Sequence, residues 1–517
     1  MRLIDATSTV RRAWWVASIA VVAATVISRW PFRSHALFTW DSANFALGMA
    51  RIDIAQHRPH PPGYLGYVLV ARAIDLVVHD ANAALVLWNI FATALAALVI
   101  ARFVWEITEP GKRTRASTAA AAILLTSPAV WFYSEIAEIY ASELLFASLV
   151  AYAAWRAARG EDRALYWSVA ALAMAAAFKV VTAILMAPVV LFAWTRVSAP
   201  TRRLTAALGV IALVAGAAAW LLVQPDLVSA VWRFAASSRW LFRGDADHPM
   251  RMLNRNVRDT LLAALVGLGA LNFVILLWWM VRDRRLPAGL NGRFATLWLL
   301  PGLFVFVFVI IAKPGYVMPL VPLGVIVVSG FYARLRPAIG IALIAMQACV
   351  NVGHFTLLTP AAFVDESGDG SYASKTFVQR MAADLTGVSE TTAFTIRRSD
   401  TRLHALLELV ARTCPGGAPV IVAGVDWRRV MWYLPEATAI QLAGGRVIAT
   451  GRHTDASPLA PNGEELLTSC PLIWLASGEG ADGVDRPPDA TETVPHVGWL
   501  TGPGTIHVTR DGVEVVR

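Results

Sequence analysis

Asp41, His57, His60, Glu135, Glu138, Lys179, Lys313 and Tyr316 are polar residues in a chain that is otherwise strongly apolar. An ionisable group in or beside a lipid-embedded segment is costly and is by default a functional hypothesis. Together these side chains suit group transfer. A carboxylate can take the proton of an attacking hydroxyl, an imidazole can hydrogen-bond sugar or phosphate, and an ammonium can neutralise a departing phosphate.

Each residue also has a plainer reading. Asp41, in Phe38-Thr39-Trp40-Asp41-Ser42-Ala43-Asn44-Phe45, is either a general base or the N-cap of a short helix starting at Ser42. His57 and His60 are either ligands of sugar or phosphate or ordinary loop histidines. Glu135 and Glu138, three apart on one helical face, could hold sugar hydroxyls or orient Lys179; acids at a helix N-terminus are the alternative. Lys179 and Lys313 each end an apolar run, facing a phosphate or snorkelling to the interface. Lys313-Pro314-Gly315-Tyr316, with Pro319 and Pro322, interrupts a helix where backbone could line a cavity. Arg239 and Arg243 lie in a stretch from 224 to 258 that also holds Arg233, Arg251, Arg255 and Arg258. That stretch meets either a demand for positive charge or none beyond solvation.

The elements that must position these groups follow from composition. Of 517 residues, 57% are hydrophobic and 16% charged, with a mean hydropathy of +0.55, so the chain needs lipid as solvent. The net charge of +9 comes from short Lys and Arg clusters between apolar runs, which points to topology and away from nucleic acid. Apolar runs at 13–30, 83–104, 116–133, 139–157, 164–179, 180–195, 204–223, 259–281, 294–312, 317–333 and 337–358 predict about eleven spans, the first uncleaved. The run 64–78 begins with Pro61-Pro62-Gly63 and contains Arg72 and Asp75. Reading it as an interfacial helix puts the later basic clusters, such as Arg156/Arg159/Arg163, on the cytoplasmic side. The candidate residues then gather at the outer face, unlike the midplane charges of a transporter. Residues 359–517 predict a small soluble α/β domain, also outside, with strands near Pro419–Gly424, Pro471–Ala476 and Thr505–Val516 and helical patterns at Lys375–Leu385 and Thr401–Thr413. Cys414 and Cys470 could pair there, and neither a thiol enzyme nor a zinc site is supported. The absence of any N-x-S/T sequon favours a bacterial cytoplasmic membrane.

Asp41, then His60-Pro61-Pro62-Gly63-Tyr64 with Tyr67 beyond, resembles the first outer loop of protein O-mannosyltransferase-like membrane proteins, a branch of the GT-C glycosyltransferases. Asn89 and Trp131 with Glu138-Ile139-Tyr140-Ala141 extend the resemblance over roughly the first 200 residues, and weaker similarity surrounds Lys179 and Lys313–Pro322. It implies a GT-C-like polytopic helical fold over 1–358. It also implies a polyprenyl-phosphate sugar donor, an inverting single displacement and Asp41 as base. His57, His60, Tyr64, Glu135, Glu138, Tyr140, Lys179, Arg239, Arg243, Lys313 and Tyr316 form the candidate substrate-binding set. The acceptor would be a glycan, lipid or protein. Asn44 replaces an acid often found in the family and Leu65 replaces a proline. The first departure disfavours a two-carboxylate or metal-binding site while leaving a divalent ion open. The rival readings are a lipid or glycan flippase and a non-catalytic assembly factor.

Overall fold

The computed structural model describes all residues except 1, 238–248, 311–312, 359–390, 444–445, 461, 477–483, 485 and 517. Each expected apolar run is helical over most of its described length. Trp14–Phe32, Ala81–Ile107, Ala199–Val223 and Pro337–Leu357 are long and apolar enough to cross a bilayer. Two bent pairs pass the same test together: Pro110–Thr126 with Pro128–Glu135 at 56°, and Met252–Leu268 with Ala270–Asp283 at 115°. That is four to six spans by length and composition among the described residues, against the eleven expected. Ala164–Phe178 and Val180–Trp194 have 15 residues each, about 22 Å of helix at 1.5 Å per residue. They are separate because Lys179 between them is extended. Apolar side chains point outward as lipid requires, with Leu222 84% and Leu213 73% exposed.

The run expected as one span at 259–281 is instead broken. Gly269 adopts φ +83°, a conformation other residues rarely accept, and a β-carbon there would lie 2.1 Å from Asn351 Oδ1. Buried side chains hold the break. Gln347 Oε1 accepts from Asn272 Nδ2 at 2.9 Å and Asn351 Nδ2 at 3.1 Å, and Tyr332 donates to Asn272 Oδ1 at 2.8 Å. Ser127, where the other bent pair turns, donates to Gly267 O at 2.7 Å.

The described chain forms two compact units. The first comprises Met1–Arg33, Tyr64–Val70 and Leu85–Thr395; the second comprises Ser34–Gly63, Ala71–Ala84 and Ile396–Arg517. This division differs from a cut at residue 358, because the first loop groups with the α/β part of the chain. Its backbone donors pair there, as unpaired amides would otherwise demand water.

The α/β part has β1 (Val420–Ala423), β2 (Thr438–Ala443), β3 (Arg446–Arg452), β4 (Asp455–Pro458), β5 (Glu464–Thr468), β6 (Leu472–Leu475), β7 (Glu492–Val494), β8 (Gly498–Thr501), β9 (Gly504–Thr509) and β10 (Gly512–Val516). A seven-stranded sheet runs β4-β3-β2-β1-β6-β8-β7, with β1 parallel to β2 and β6. The strands at 420–423 and 472–475 are continuously apolar because both faces are covered. Ile421, Ala423, Ile473 and Leu475 pack with Leu406 and Trp427 from the helices Ala393–Thr413 and Trp427–Tyr433. Val420, Val422, Leu472 and Trp474 pack with Ile506 and Val508 of the antiparallel sheet β10-β9-β5. Cys414 and Cys470 are disulfide-bonded. The helical pattern at 375–385 lies outside the described residues.

Gly269→Ala adds a β-carbon onto Asn351 and forces a strained φ. It is expected to cost at least about 1–3 kcal/mol, read as a lowered thermal unfolding midpoint of the purified protein in detergent.

Candidate functional site

Asp41 lies in the helix Trp40–Ala50, whose N-cap is Thr39. Thr39 and Ser42 form a reciprocal capping box, so the helix starts two residues before Ser42 and does not use the Asp41 carboxylate as its cap. The alternative reading of Asp41 is thereby removed. At the other end Arg72 donates from Nε to Met49 O at 2.7 Å and from Nη2 to Gly48 O at 2.9 Å, closing the last turn with a cation. Arg72 thus has a structural task in the run 64–78, which forms the helix Leu65–Val78.

The Asp41 side chain is 36% exposed, and its Oδ1 lies 3.4 Å from His60 Nδ1, whose side chain is 16% exposed. His60 rests on Phe45 and His57 on Trp40, each with ring centroids 5.7 Å apart. The proline-rich stretch is not the extended segment its prolines suggest. A turn closes with Gly63 N–H donating to His60 O at 3.1 Å, which returns His60 toward the Asp41 helix. His57 has φ 59°. Burial, with the Arg428 and His60 charges beside it, outweighs Asp41 and pushes its imidazole down to about 4.

In the other unit, residues from three parts of the sequence meet. Lys179 Nζ is 2.5 Å from Glu143 Oε1, and Thr182 donates to Glu143 Oε2 at 2.7 Å. The same ammonium stands 4.6 Å from the Tyr140 ring centroid and 5.0 Å from that of Tyr316. Gly315 is pressed against Tyr140, where a β-carbon would sit 2.6 Å from a ring carbon. The Lys313–Tyr316 element, the Glu138–Tyr140 segment and Lys179 therefore share one wall. Lys313 itself is exposed. Behind the wall, Asn89 Nδ2 donates to Ile136 O and Glu138 O at 2.7 Å each, and to the Tyr67 hydroxyl oxygen at 3.1 Å. It pins the irregular link between Pro128–Glu135 and Tyr140–Ala158.

Glu135 is fully buried and accepts from Trp131 Nε1 at 2.6 Å, while Glu138 is 7% exposed. The carboxylate that meets Lys179 is Glu143, which sequence reasoning missed. Its signal was an acid three residues after Tyr140, inside a span where acids are expensive. Arg29 was missed too. It is 2% exposed, stacks 4.6 Å from the Trp131 ring centroid and donates to Leu125 O. Tyr64 is 8% exposed. Arg239 and Arg243 lie outside the described residues. Among the described residues no three His, Cys, Asp or Glu side chains converge as metal ligands.

Residues 41–202 match the family described as the N-terminal domain of protein O-mannosyl-transferase TMEM260. The resemblance to O-mannosyltransferase-like proteins therefore holds over the span containing Asp41, His60–Tyr64, Asn89, Glu138–Tyr140 and Lys179. No curated protein matches the chain. Two crystal structures of ArnT from Cupriavidus metallidurans, one apo and one bound to undecaprenyl phosphate, are similar at 15% and 16% identity with TM-scores of 0.44. Each match covers 80% of this chain and 82% of that chain.

Two outcomes follow from these environments. Glu143→Gln strands the Lys179 ammonium, whose side chain is 12% exposed. The expected cost is about 3–5 kcal/mol, partly recovered by adding Lys179→Met, as read by denaturation in detergent. His57 is depressed in the folded state, so the unfolded chain binds its proton first. Its contribution to stability is complete above about pH 6.5 and is lost as pH falls toward about 4. His57→Asn keeps a residue tolerant of positive φ and should flatten the loss of unfolding midpoint between those limits.

Proposed function

We propose that this chain is a membrane glycosyltransferase that moves one sugar from a polyprenyl-phosphate carrier to an acceptor hydroxyl, with inversion. Mannose is the candidate sugar, from the family that matches residues 41–202. The observation that carries this reading is the Asp41 carboxylate, released from helix capping by Thr39 and facing His60 within the O-mannosyltransferase-like loop. Asp41 would take the acceptor proton as the hydroxyl oxygen attacks the anomeric carbon, and the bond from that carbon to the carrier phosphate breaks. His60 would hold the carboxylate oriented. Lys313, exposed at an interruption between helices, is the cation proposed for the phosphate that gains charge on leaving. Lys179 is already committed to Glu143 and supports the Tyr140–Tyr316 wall. The reading puts the reaction at the outer face of a bacterial cytoplasmic membrane, and the donor is a substrate, not a bound cofactor.

One observation favours a transporter as the second reading. The two bent helix pairs meet where Ser127 bonds Gly267, and discontinuous helices line substrate paths in many transporters. Among the described residues, the side chains bonded at that meeting point, the Gln347, Asn272 and Asn351 amides and the Tyr332 hydroxyl, form no ion pair.

The test is transfer from a synthetic polyprenyl-phosphate mannose by the purified protein in nanodiscs. Asp41→Asn preserves shape and should lower the rate by about 10²- to 10⁴-fold. Lys313→Met should weaken the transition state by roughly 3 kcal/mol. Near-normal transfer by a folded Asp41→Asn protein would remove Asp41 as the base. Movement of labelled lipid across the bilayer without any transfer would favour the transporter.

A further inference from the structure

The α/β part of the second unit has no task in the reaction above, yet it grips the segment that carries Asp41. Asp400, in the helix Ala393–Thr413, is 8% exposed. Its Oδ1 accepts from the Ser34 hydroxyl at 2.9 Å and from Ala36 N–H at 3.2 Å, and its Oδ2 accepts from His35 N–H at 2.9 Å. Leu37 N–H donates to the Tyr433 hydroxyl oxygen at 2.7 Å, and the Ser399 hydroxyl donates to Phe38 O at 3.2 Å. Every residue from Ser34 to Phe38 is therefore hydrogen-bonded to a part of the chain more than 360 positions away. Thr39 then caps the helix, and Trp40, next to Asp41, packs on the core formed by Leu406, Ile421 and Trp427. The far side of the segment is held as well. Arg428 Nη2 donates to Gln56 O at 2.7 Å, and Ala456 N–H donates to Gln56 Oε1 at 3.2 Å.

We infer that the α/β domain is a positioning device for the reaction, and that Asp400 and Tyr433 are positioning residues that fix where the Asp41 helix begins. The inference rests on the reading of Asp41 as base. The Ser34–Phe38 strip forms no helix or strand and, apart from Ser34 Oγ against Ala36 O at 2.5 Å, is hydrogen-bonded to distant parts of the chain, so its course is set mainly from outside, and a capped helix transmits that course to Asp41. Each such bond adds little net stability because water competes for the same groups. Placement, by contrast, enters the rate steeply, since reacting atoms must lie within a few tenths of an ångström of their productive geometry.

The full-length protein in nanodiscs provides the test, using polyprenyl-phosphate mannose as donor probe and hydrogen exchange as an independent readout. Tyr433→Phe and Asp400→Ala are expected to speed amide exchange beyond the altered donors, through Trp40–Ala50. Asp400→Ala should lower kcat per folded molecule by about 10²-fold, with the KM for donor held within about twofold. Asp400→Asn keeps an oxygen for Ser34 and Ala36 but turns a donor toward His35 N–H, and should recover part of the rate that Asp400→Ala loses. Unchanged exchange in Trp40–Ala50, or a kcat that returns to wild type once normalised to folded protein, would overturn the inference. Should Asp41→Asn prove fully active, the reading of Asp41 as base fails by that result, and the exchange data still decide whether the domain positions the helix.

Discussion

Lys179 and Glu143, 2.5 Å apart with side chains 12% and 2% exposed, form the contact on which the apolar unit's polar wall depends. A buried ion left without its partner costs several kcal/mol, so the helices that carry the two residues cannot drift apart. The pair also explains local geometry. Lys179 leaves the helical conformation to reach Glu143, which divides what would be one long helix into Ala164–Phe178 and Val180–Trp194. Its ammonium then lies against Tyr140 and Tyr316, and Gly315 admits the Tyr140 ring where any side chain would block it. One ion pair thereby orders residues that the sequence keeps more than 170 positions apart.

The second unit solves a different problem, that of keeping a carboxylate available. A short helix has orphan amides at its start, and the nearest acid is the usual group to satisfy them. Here Thr39 and Ser42 do so reciprocally, and Arg72 serves the last carbonyls. Both ends are closed by residues other than Asp41. The carboxylate is left facing His60 and partly exposed, which suits the role of base proposed for it.

Much of this was legible in the sequence because it is local. Asp41, the His60–Tyr64 element, Glu138–Tyr140 and Lys313–Tyr316 are short runs whose residue types are costly in an apolar chain, and the apolar runs themselves are helical. The continuous strands at 420–423 and 472–475 were readable because both faces of that sheet are buried. What escaped was pairing over distance. Nothing near Lys179 names Glu143, and nothing near Ser34 names Asp400, because ion pairs and carboxylate clamps leave no periodic trace. The break at Gly269 was hidden for another reason. A glycine in an apolar run reads as helix until the side chain that occupies its missing β-carbon, Asn351, is known.

The departure at Asn44 becomes intelligible in the same terms. Asn44 is fully buried, and neither of its polar atoms meets a hydrogen-bond partner among the described residues. An acid at that position would have to bury a charge, which costs far more than burying an amide. It would also stand three residues from Asp41 on the same helix, where like charges oppose each other's ionisation. A single base that must be ionised to act is better served by a neutral neighbour. Under the reading of Asp41 as that base, the substitution keeps the helix packed and leaves its negative charge in one place, on the carboxylate that faces His60.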